Sequence, residues 1–324
     1  MRLRIALCGL LLGGVANVYA EERPVGFDWL EVAAFAGHQT DYSGVFVYQF
    51  GNQVETSNIV HVNEADSEYE KLESLDGPKK EVIRHDGQVW SYAHDRMVQI
   101  DSQQGRDRFP SLFPEQLSAL KANYQAKLLG VERVAGYNAQ VILFQPKDNL
   151  RYTHKIWVHT DSGLLLKAAV IGDKNKVVEQ YAFTQLQIGG KFDRSWGGAC
   201  DLEDKHSKAL AATAPEAANG YPPTNSGWVA DMLPSGFKKT MEILRAMPGK
   251  HAPVTQIVYS DGLSAISIFI EPNDEDEDDV EGLSSRGAVN LYHKVLDQHL
   301  ITIVGEVPPH TVMQVADSVR YNGK

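Results

Sequence analysis

From Tyr42 to about residue 190 the chain is cut into strand-length segments by turns too short to do anything but reverse its direction. Tyr42 to Phe50 (YSGVFVYQF) and Gln53 to Val62 are separated by Gly51-Asn52, a two-residue hairpin signal. Asp76-Gly77-Pro78, Asp86-Gly87, Ala135-Gly136, Lys147-Asp148-Asn149, Asp161-Ser162-Gly163 and Asp173-Lys174-Asn175 repeat the punctuation, and the segments between are rich in Val, Ile, Tyr, Trp and Phe. Parallel neighbours need a crossover of about a dozen residues or more, so these connections leave only antiparallel pairing. The pattern predicts a meander of roughly ten strands. A helical insertion is expected near Pro114 to Leu120. A helix precedes the meander, with Asp28 as its N-cap and Trp29, Leu30, Ala33, Ala34 and Phe35 along it.

Within these strands the polar-apolar alternation is poor. Val45 and Val47 oppose Phe46, Tyr48 and Phe50; Val89 and Ala93 oppose Trp90 and Tyr92; Ala139 to Phe144 is apolar on both sides. A sheet with one solvated face alternates cleanly, so both faces here want cover. Helices can supply one cover. The other face either lines a cavity, as a large sheet curling toward a barrel would provide, or is plain core. Both alternatives stand at this point.

The first twenty residues read as an export leader. Arg2 and Arg4 precede the apolar run Ile5 to Val15, and Val18-Tyr19-Ala20 is a small-residue cleavage site. The run is shorter than the roughly 20 residues a bilayer requires. The mature chain is expected to begin near Glu21, as a soluble exported protein. The leader takes two arginines and no acids with it, so the net charge moves from −11 to −13. Seven acids, Asp274 to Asp279 and Glu281, lie in one stretch that reads as a solvated loop. Cys8 leaves with the leader, so Cys200 is expected as a free thiol or an intermolecular bridge. No long basic tract is present, which argues against a nucleic-acid partner.

A length of 324 residues suggests about two domains. The expected division is 1–20 leader, 21–190 strand-rich domain, 191–227 linker and 228–324 a smaller α+β domain. The linker is read from Gly189-Gly190, Gly197-Gly198, the Ala-rich stretch Ala209 to Ala218 and Tyr221-Pro222-Pro223. Strands are expected at Phe237 to Leu244, Val254 to Tyr259, Leu263 to Glu271, Ala288 to Leu296 and Leu300 to Val307, with Asp261-Gly262 as a tight turn. A last helix follows Pro308-Pro309.

Catalytic signatures are missing. There is no Gly-x-Ser-x-Gly elbow, phosphate loop or dinucleotide fingerprint. Ser118 and Lys121 form a Ser-x-x-Lys without the Lys-Thr-Gly strand that such acyl enzymes need. The eleven histidines include no His-Glu-x-x-His, and His154 and His159 are an odd number apart on one strand. Asp274-x-Asp276-x-Asp278 opens like a calcium loop, but Asp279 and Ser285 stand where it needs Gly and Glu. The expectation is no enzyme, no catalytic or metal residues and no cofactor.

Six stretches carry a family resemblance: Leu75 to Val82 (LDGPKKEV), Arg151 to Leu165 (RYTHKIWVHTDSGLL), Tyr181-Ala182-Phe183, Leu233 to Phe237 (LPSGF), Tyr259 to Leu263 (YSDGL) and Ile301 to Pro308 (ITIVGEVP). In this order, and across both expected domains, they resemble the periplasmic RseB/MucB family, negative regulators of the sigma-E envelope-stress pathway. The acidic run departs from that pattern. The resemblance implies a mixed α+β protein. Its first domain would be a LolA/LolB-like unclosed antiparallel β-barrel with helices on the concave side. A smaller C-terminal α+β domain would follow.

The resemblance also implies that the protein binds the periplasmic segment of a single-pass anti-sigma factor and protects it from regulated proteolysis. Lipid, in particular the acylated part of lipopolysaccharide, would weaken that complex. From periodicity, Phe46, Tyr48, Trp90, Tyr92 and Trp157 are the candidates to line a lipid cavity; ordinary core is the alternative for each. Tyr259, Asp261, Leu263 and Glu306, within the second domain's motifs, are the candidates for the partner interface. A stand-alone periplasmic lipid or lipoprotein carrier remains the alternative function, and self-association into a homo-oligomer stays open.

Overall fold

A computed structural model describes residues 26–64, 67–85, 88–93, 96–100, 109–111, 120–192, 224–247, 252–273 and 281–323. The leader, Cys200, most of the acidic run and the expected insertion before Leu120 lie outside the described residues. Helix α1 is Gly26–Gln39. Eleven strands follow: β1 Tyr42–Phe50, β2 Gln53–Glu64, β3 Ser67–Ser74, β4 Lys80–His85, β5 Gln88–Ala93, β6 Arg96–Ile100, β7 Tyr124–Val134, β8 Tyr137–Pro146, β9 Thr153–His159, β10 Leu165–Ile171 and β11 Val177–Ile188. A single turn, α2 Leu120–Asn123, leads into β7. Asp28 is not the N-cap expected from the sequence. The helix starts two residues earlier, so Asp28 sits inside the first turn, where a carboxylate meets the positive end of the helix dipole.

The strands form one antiparallel sheet in the order β6-β5-β4-β3-β2-β1-β11-β10-β9-β8-β7. Two meanders are therefore joined where the first strand pairs the last, with Phe46 opposite Phe183 and Tyr48 opposite Tyr181. The two-residue Gly51-Asn52 turn forms as expected, Gly51 taking φ +57°. The sheet is not flat. β7 and β11 lie four positions apart, about 19 Å on a flat sheet, yet they come within 8 Å of each other. Tyr137 of β8 also donates to the Leu186 carbonyl of β11 at 3.3 Å. The sheet thus curls without closing, and α1 lies in the curl against β2, β7, β8 and β10. Leu30, Ala33 and Ala34 pack there with Tyr42, Phe46, Ile59, Phe144, Ile156 and Phe183, all buried.

The C-terminal part has its own core. β12 is Trp228–Ala230, β13 Lys238–Arg245, β14 Val254–Ser260, β15 Ala265–Pro272, β16 Gly282–Arg286, β17 Val289–Leu296, β18 His299–Gly305, α3 Pro309–Asp317 and β19 Val319–Tyr321. Six of them form an antiparallel sheet in the order β13-β14-β15-β18-β17-β16, while β12 pairs β19. Ile257, Ile266, Ile268, Ile270, Ile301 and Ile303 pack under Val312, Val315 and Ala316 of α3. The third strand begins at Ala265 rather than Leu263. Asp261 Oδ1 accepts from the Leu263 and Ser264 amides at 3.0 and 2.9 Å, which holds those residues in the turn. β16 was not anticipated, because Leu283 is its only large apolar residue.

At the far end of the curl, α1 is tied down by a carboxylate between two imidazoles. Glu68 Oε1 lies 2.9 Å from both His38 Nδ1 and His61 Nε2, and His61 Nδ1 donates to the Thr40 carbonyl at 2.8 Å. Burial pushes the Glu68 carboxyl up, but the hydrogen bonds from His38 and His61 outweigh it and hold it at about 2. A carboxyl depressed in the folded state stabilises above its ordinary value near 4.5, and that contribution is lost as pH falls toward about 2. Denaturant midpoints measured from pH 6 to 2 should therefore fall more steeply for the wild type than for Glu68→Gln. Parallel curves would show that this carboxylate does not hold the helix end.

Candidate functional site at the junction of the two sheets

The two sheets meet on a buried ion pair. Arg151 lies in the β8–β9 loop, whose turn is held by Asp148 Oδ1 accepting from the Leu150 amide at 3.0 Å. Arg151 Nε donates to Asp261 Oδ2 at 2.7 Å, and neither side chain has any solvent exposure. Tyr124 OH donates to the same oxygen at 3.1 Å. With the two turn amides on Oδ1, the Asp261 carboxylate accepts four hydrogen bonds. The guanidinium spends its remaining edges on the Asp148 carboxylate and the Ser235 carbonyl. It also lies over the rings of Tyr124 and Phe237, 5.7 and 5.2 Å from their centroids.

This centre sets its neighbours' protonation. Burial works against the Arg151 charge, but Asp261 more than restores it. Burial, then the Asp261 charge, pushes the Tyr124 phenol well up. Burial drives His154 down to about 4 against the opposing pull of Asp261, so the ring beside Tyr124 is neutral and adds no second cation.

A second set of contacts comes from the tip of the β16–β17 hairpin. Glu179 Oε2 accepts from the Ala288 amide at 2.9 Å and from Tyr48 OH at 3.1 Å. Gly287 takes φ +61°, and a Cβ there would stand 2.5 Å from that carboxylate oxygen, so only glycine fits. Arg286 lies 4.7 Å over the Phe50 ring and pairs with Glu55 at 3.1 Å. Asn290 Nδ2 donates to Tyr152 OH at 2.9 Å and to the Val307 carbonyl at 2.7 Å. Thr311 of α3 donates to the Leu150 carbonyl at 3.1 Å. The larger sheet's share of all this comes from the end of β1, the starts of β7 and β11 and the β8–β9 loop, which lie at one end of the curl. The smaller sheet caps that end, and a cleft of about 180 Å³ remains beside Asp148, Arg151, Tyr152, Asp173 and Pro308.

Of the candidate partner residues, Asp261 is the centre of the junction and half-buried Leu263 packs against the larger sheet's core. Tyr259 points into the smaller core. Glu306 follows β18, its amide bonded to the Ala265 carbonyl at 3.0 Å. The lipid-cavity candidates do not meet. Directly paired residues share a face, so register carries Phe46 and Tyr48 to the concave face with Tyr181 and Phe183. Counting across β2 to β5, and across β10 to β9, puts Trp90, Tyr92 and Trp157 on the outer face. Trp90 and Tyr92 pack there on Ile83. Trp157 lies between the ammonium groups of Lys155 and Lys167 and donates to Glu132 at 2.7 Å. No single cavity is lined by all five. Sequence reasoning missed Arg151, Tyr124, Glu179, Asn290 and Gly287 as site residues. Arg151 was nonetheless visible as the first residue of one quoted stretch whose partner, Asp261, lies inside another.

Removing one member of a buried, hydrogen-bonded ion pair costs about 3–5 kcal/mol, because the other charge is left uncompensated. Asp261→Ala should lose about that much in denaturant unfolding, against about 1 kcal/mol for Tyr124→Phe, which removes one hydrogen bond. Similar losses would show the pair is not the joint. The Glu179 carboxyl is pushed up, by burial first, with the Ala288 and Tyr48 hydrogen bonds opposing. An acid raised in this way stabilises the docked tip below its ordinary value and loses that contribution as pH rises through the raised one. Hydrogen exchange of the Ala288 amide should therefore quicken from pH 4 to 7 beyond its intrinsic rate in the wild type. In Glu179→Gln, which is neutral throughout, it should not.

Two family models match in tandem: MucB/RseB N-terminal domain over residues 26–200 and MucB/RseB C-terminal domain over residues 222–320. The Sigma factor AlgU regulatory protein MucB of Pseudomonas aeruginosa is 32% identical over 323 residues, covering 96% of each chain. The Sigma-E factor regulatory protein RseB of Escherichia coli K12 is 23% identical, covering 93% of this chain and 92% of the relative. Among solved structures, the complex of Pseudomonas aeruginosa MucA and MucB matches with a TM-score of 0.71 and 30% identity, over 92% of this chain and 99% of that one. MucB on its own matches with a TM-score of 0.62 and 29% identity, over 91% and 98%. Both sheets and the residues that join them fall within these matches, and the chain belongs to the MucB/RseB family.

Proposed function

We propose that this chain is an exported regulator that binds the periplasmic segment of a membrane anti-sigma factor, shields it from regulated proteolysis, and is released from it by lipid. The carrying observation is the likeness of the chain to MucB in its MucA complex, at a TM-score of 0.71 over 92% of the chain. The leader-like start supports export, and no described helix is long and apolar enough to cross a membrane. In this reading the strand-rich domain senses lipid and the smaller domain, with the junction, holds the partner. A lipid shifts the complex only if it binds the free form better. Each buried methylene is worth about 0.8 kcal/mol, so one acyl chain supplies more than a coupling of about 1–3 kcal/mol requires.

The test is calorimetric titration of the anti-sigma periplasmic segment from the same genome into the exported chain, with and without an acylated amphiphile. Direct binding, weakened by the amphiphile, is expected. By reciprocity the segment weakens amphiphile binding by the same factor. No binding of the segment would overturn the proposal, and amphiphile binding alone would leave the stand-alone carrier.

A further inference from the structure

The larger sheet ends on β7, which among the described residues has a strand neighbour on one side only. From Lys127 to Arg133 (KLLGVER) every residue is exposed, so this edge is open to solvent. Leu128, Leu129 and Val131 are 47, 52 and 58% exposed on it. An open edge offers a row of free N–H and C=O groups to any strand that approaches, and proteins blunt such edges with lysines, prolines or very short strands. The smaller sheet does so: β13 shows Lys238 and Lys239 to solvent, and β16 has only five residues. β7 instead has eleven residues, no proline and those three apolar side chains.

Its pattern is complementary to itself. The register against β8 shifts between Leu128 and Gly130, where Leu129 is an extra residue. Lys127 and Glu132 pair with Leu143 and Ala139 and point to the outer side, where Glu132 meets Trp157. Leu128 and Val131 pair with Ile142 and Gln140 and point to the concave side. A second copy can be laid antiparallel along β7 with the twofold axis between Leu129 and Gly130. Lys127 then stands opposite Glu132, and Leu128 opposite Val131, each twice. Facing residues must share a side of the sheet. In an unbroken strand positions 127 and 132 lie on opposite sides, as do 128 and 131; the extra residue brings both pairs back to one side. Sliding the copy by one residue sets Lys127 against Arg133 or Val131, and Leu128 against Glu132 or Gly130, so neither neighbouring register matches. Gly130 has φ +117° and no atom within 4 Å of where a Cβ would stand, which leaves room for the facing Leu129.

We propose that the chain pairs with a second copy of itself along β7, Lys127 to Glu132 and Leu128 to Val131, giving a twofold dimer with one sheet running through both copies. Exposed charge pairs add little free energy, so the backbone ladder and the apolar pairs carry the contact and the charges fix its register. One strand pair buries little area, which places this dimer among the weak, concentration-dependent ones. None of these residues takes part in the junction of the two sheets, so the inference stands apart from the anti-sigma reading.

The test is sedimentation velocity of the exported full-length chain from micromolar to submillimolar concentration. A dimer that grows with concentration is expected. Leu128→Lys/Val131→Lys, which changes only exposed positions, should stay monomeric with an unchanged melting temperature. Lys127→Glu should weaken the dimer about tenfold, and so should Glu132→Lys, the scale of two cross-strand charge pairs replaced by two repulsions. An equimolar mixture of these two variants should recover it, because each supplies the sign the other has lost. A wild type that is monomeric throughout overturns the proposal. So does a dimer that Leu128→Lys/Val131→Lys leaves intact, or a mixture that does not recover. Should Glu132→Lys not fold, because Glu132 also accepts from Trp157, an undiminished dimer in Lys127→Glu overturns it. A monomeric wild type whose β7 amides gain exchange protection only when the anti-sigma segment is added would give the edge to that partner, and the proposal would fall.

Discussion

The relative pose of the two sheets depends on one charge pair taken out of water. Arg151 and Asp261 stand 110 residues apart in sequence and have no solvent exposure where they meet. Burying two ions is expensive, and attraction repays it only when every other donor and acceptor is also used. Here each guanidinium nitrogen and each carboxylate oxygen has a partner: Asp261 has Tyr124 and two turn amides besides Arg151, and Arg151 has Asp148 and the Ser235 carbonyl, with two aromatic rings against its plane. The pair is therefore a specificity device more than a source of stability. Any other docking angle leaves a charge stranded. Asp231–Arg320 and Lys294–Asp317, which hold the smaller unit's own surface, have exposed partners and carry no such penalty.

The meander was legible because its information is local. Gly51-Asn52, Ala135-Gly136 and Asp161-Ser162-Gly163 each dictate a reversal within a few residues, and the strands follow from those. The curl was legible only as a demand for cover on both faces. What covers which face depends on register, and a set of aromatic residues picked by alternation strand by strand has no common reference. That is how Trp90 and Trp157 joined Phe46 in one list while pointing away from it. Arg151 and Asp261 sat in two quoted stretches, but nothing in a single sequence says that two turns so far apart share an ion pair. Glu179 and Gly287 left no signal: a glutamate on a strand and a glycine in a hairpin are ordinary until the two touch.

The hairpin tip shows why a junction of this kind can move. Unlike an apolar interface, it is held by hydrogen bonds and ions in directional contacts, each lost outright when its partner turns away. Glu179 is the weakest of them, because its buried carboxylate pays for its desolvation with two hydrogen bonds only.

Glu179 is also joined to the concave face. Tyr48, which donates to it, stacks on Tyr181 at 4.3 Å, and Tyr181 stacks on Phe109 at 5.6 Å. Close-packed rings do not yield continuously. A guest wedged between Phe109 and Tyr181 must turn or displace a ring, and Tyr48 follows Tyr181 because the two share a cross-strand pair. Displacing the Tyr48 hydroxyl removes one of the two donors that make the Glu179 carboxylate tolerable. The remaining bond, to Ala288, is the one that crosses to the other sheet. Occupancy of the concave face and docking of the hairpin tip therefore draw on the same side chains, three rings apart. Coupling between them needs no long-range path, only that one carboxylate cannot afford to lose a donor.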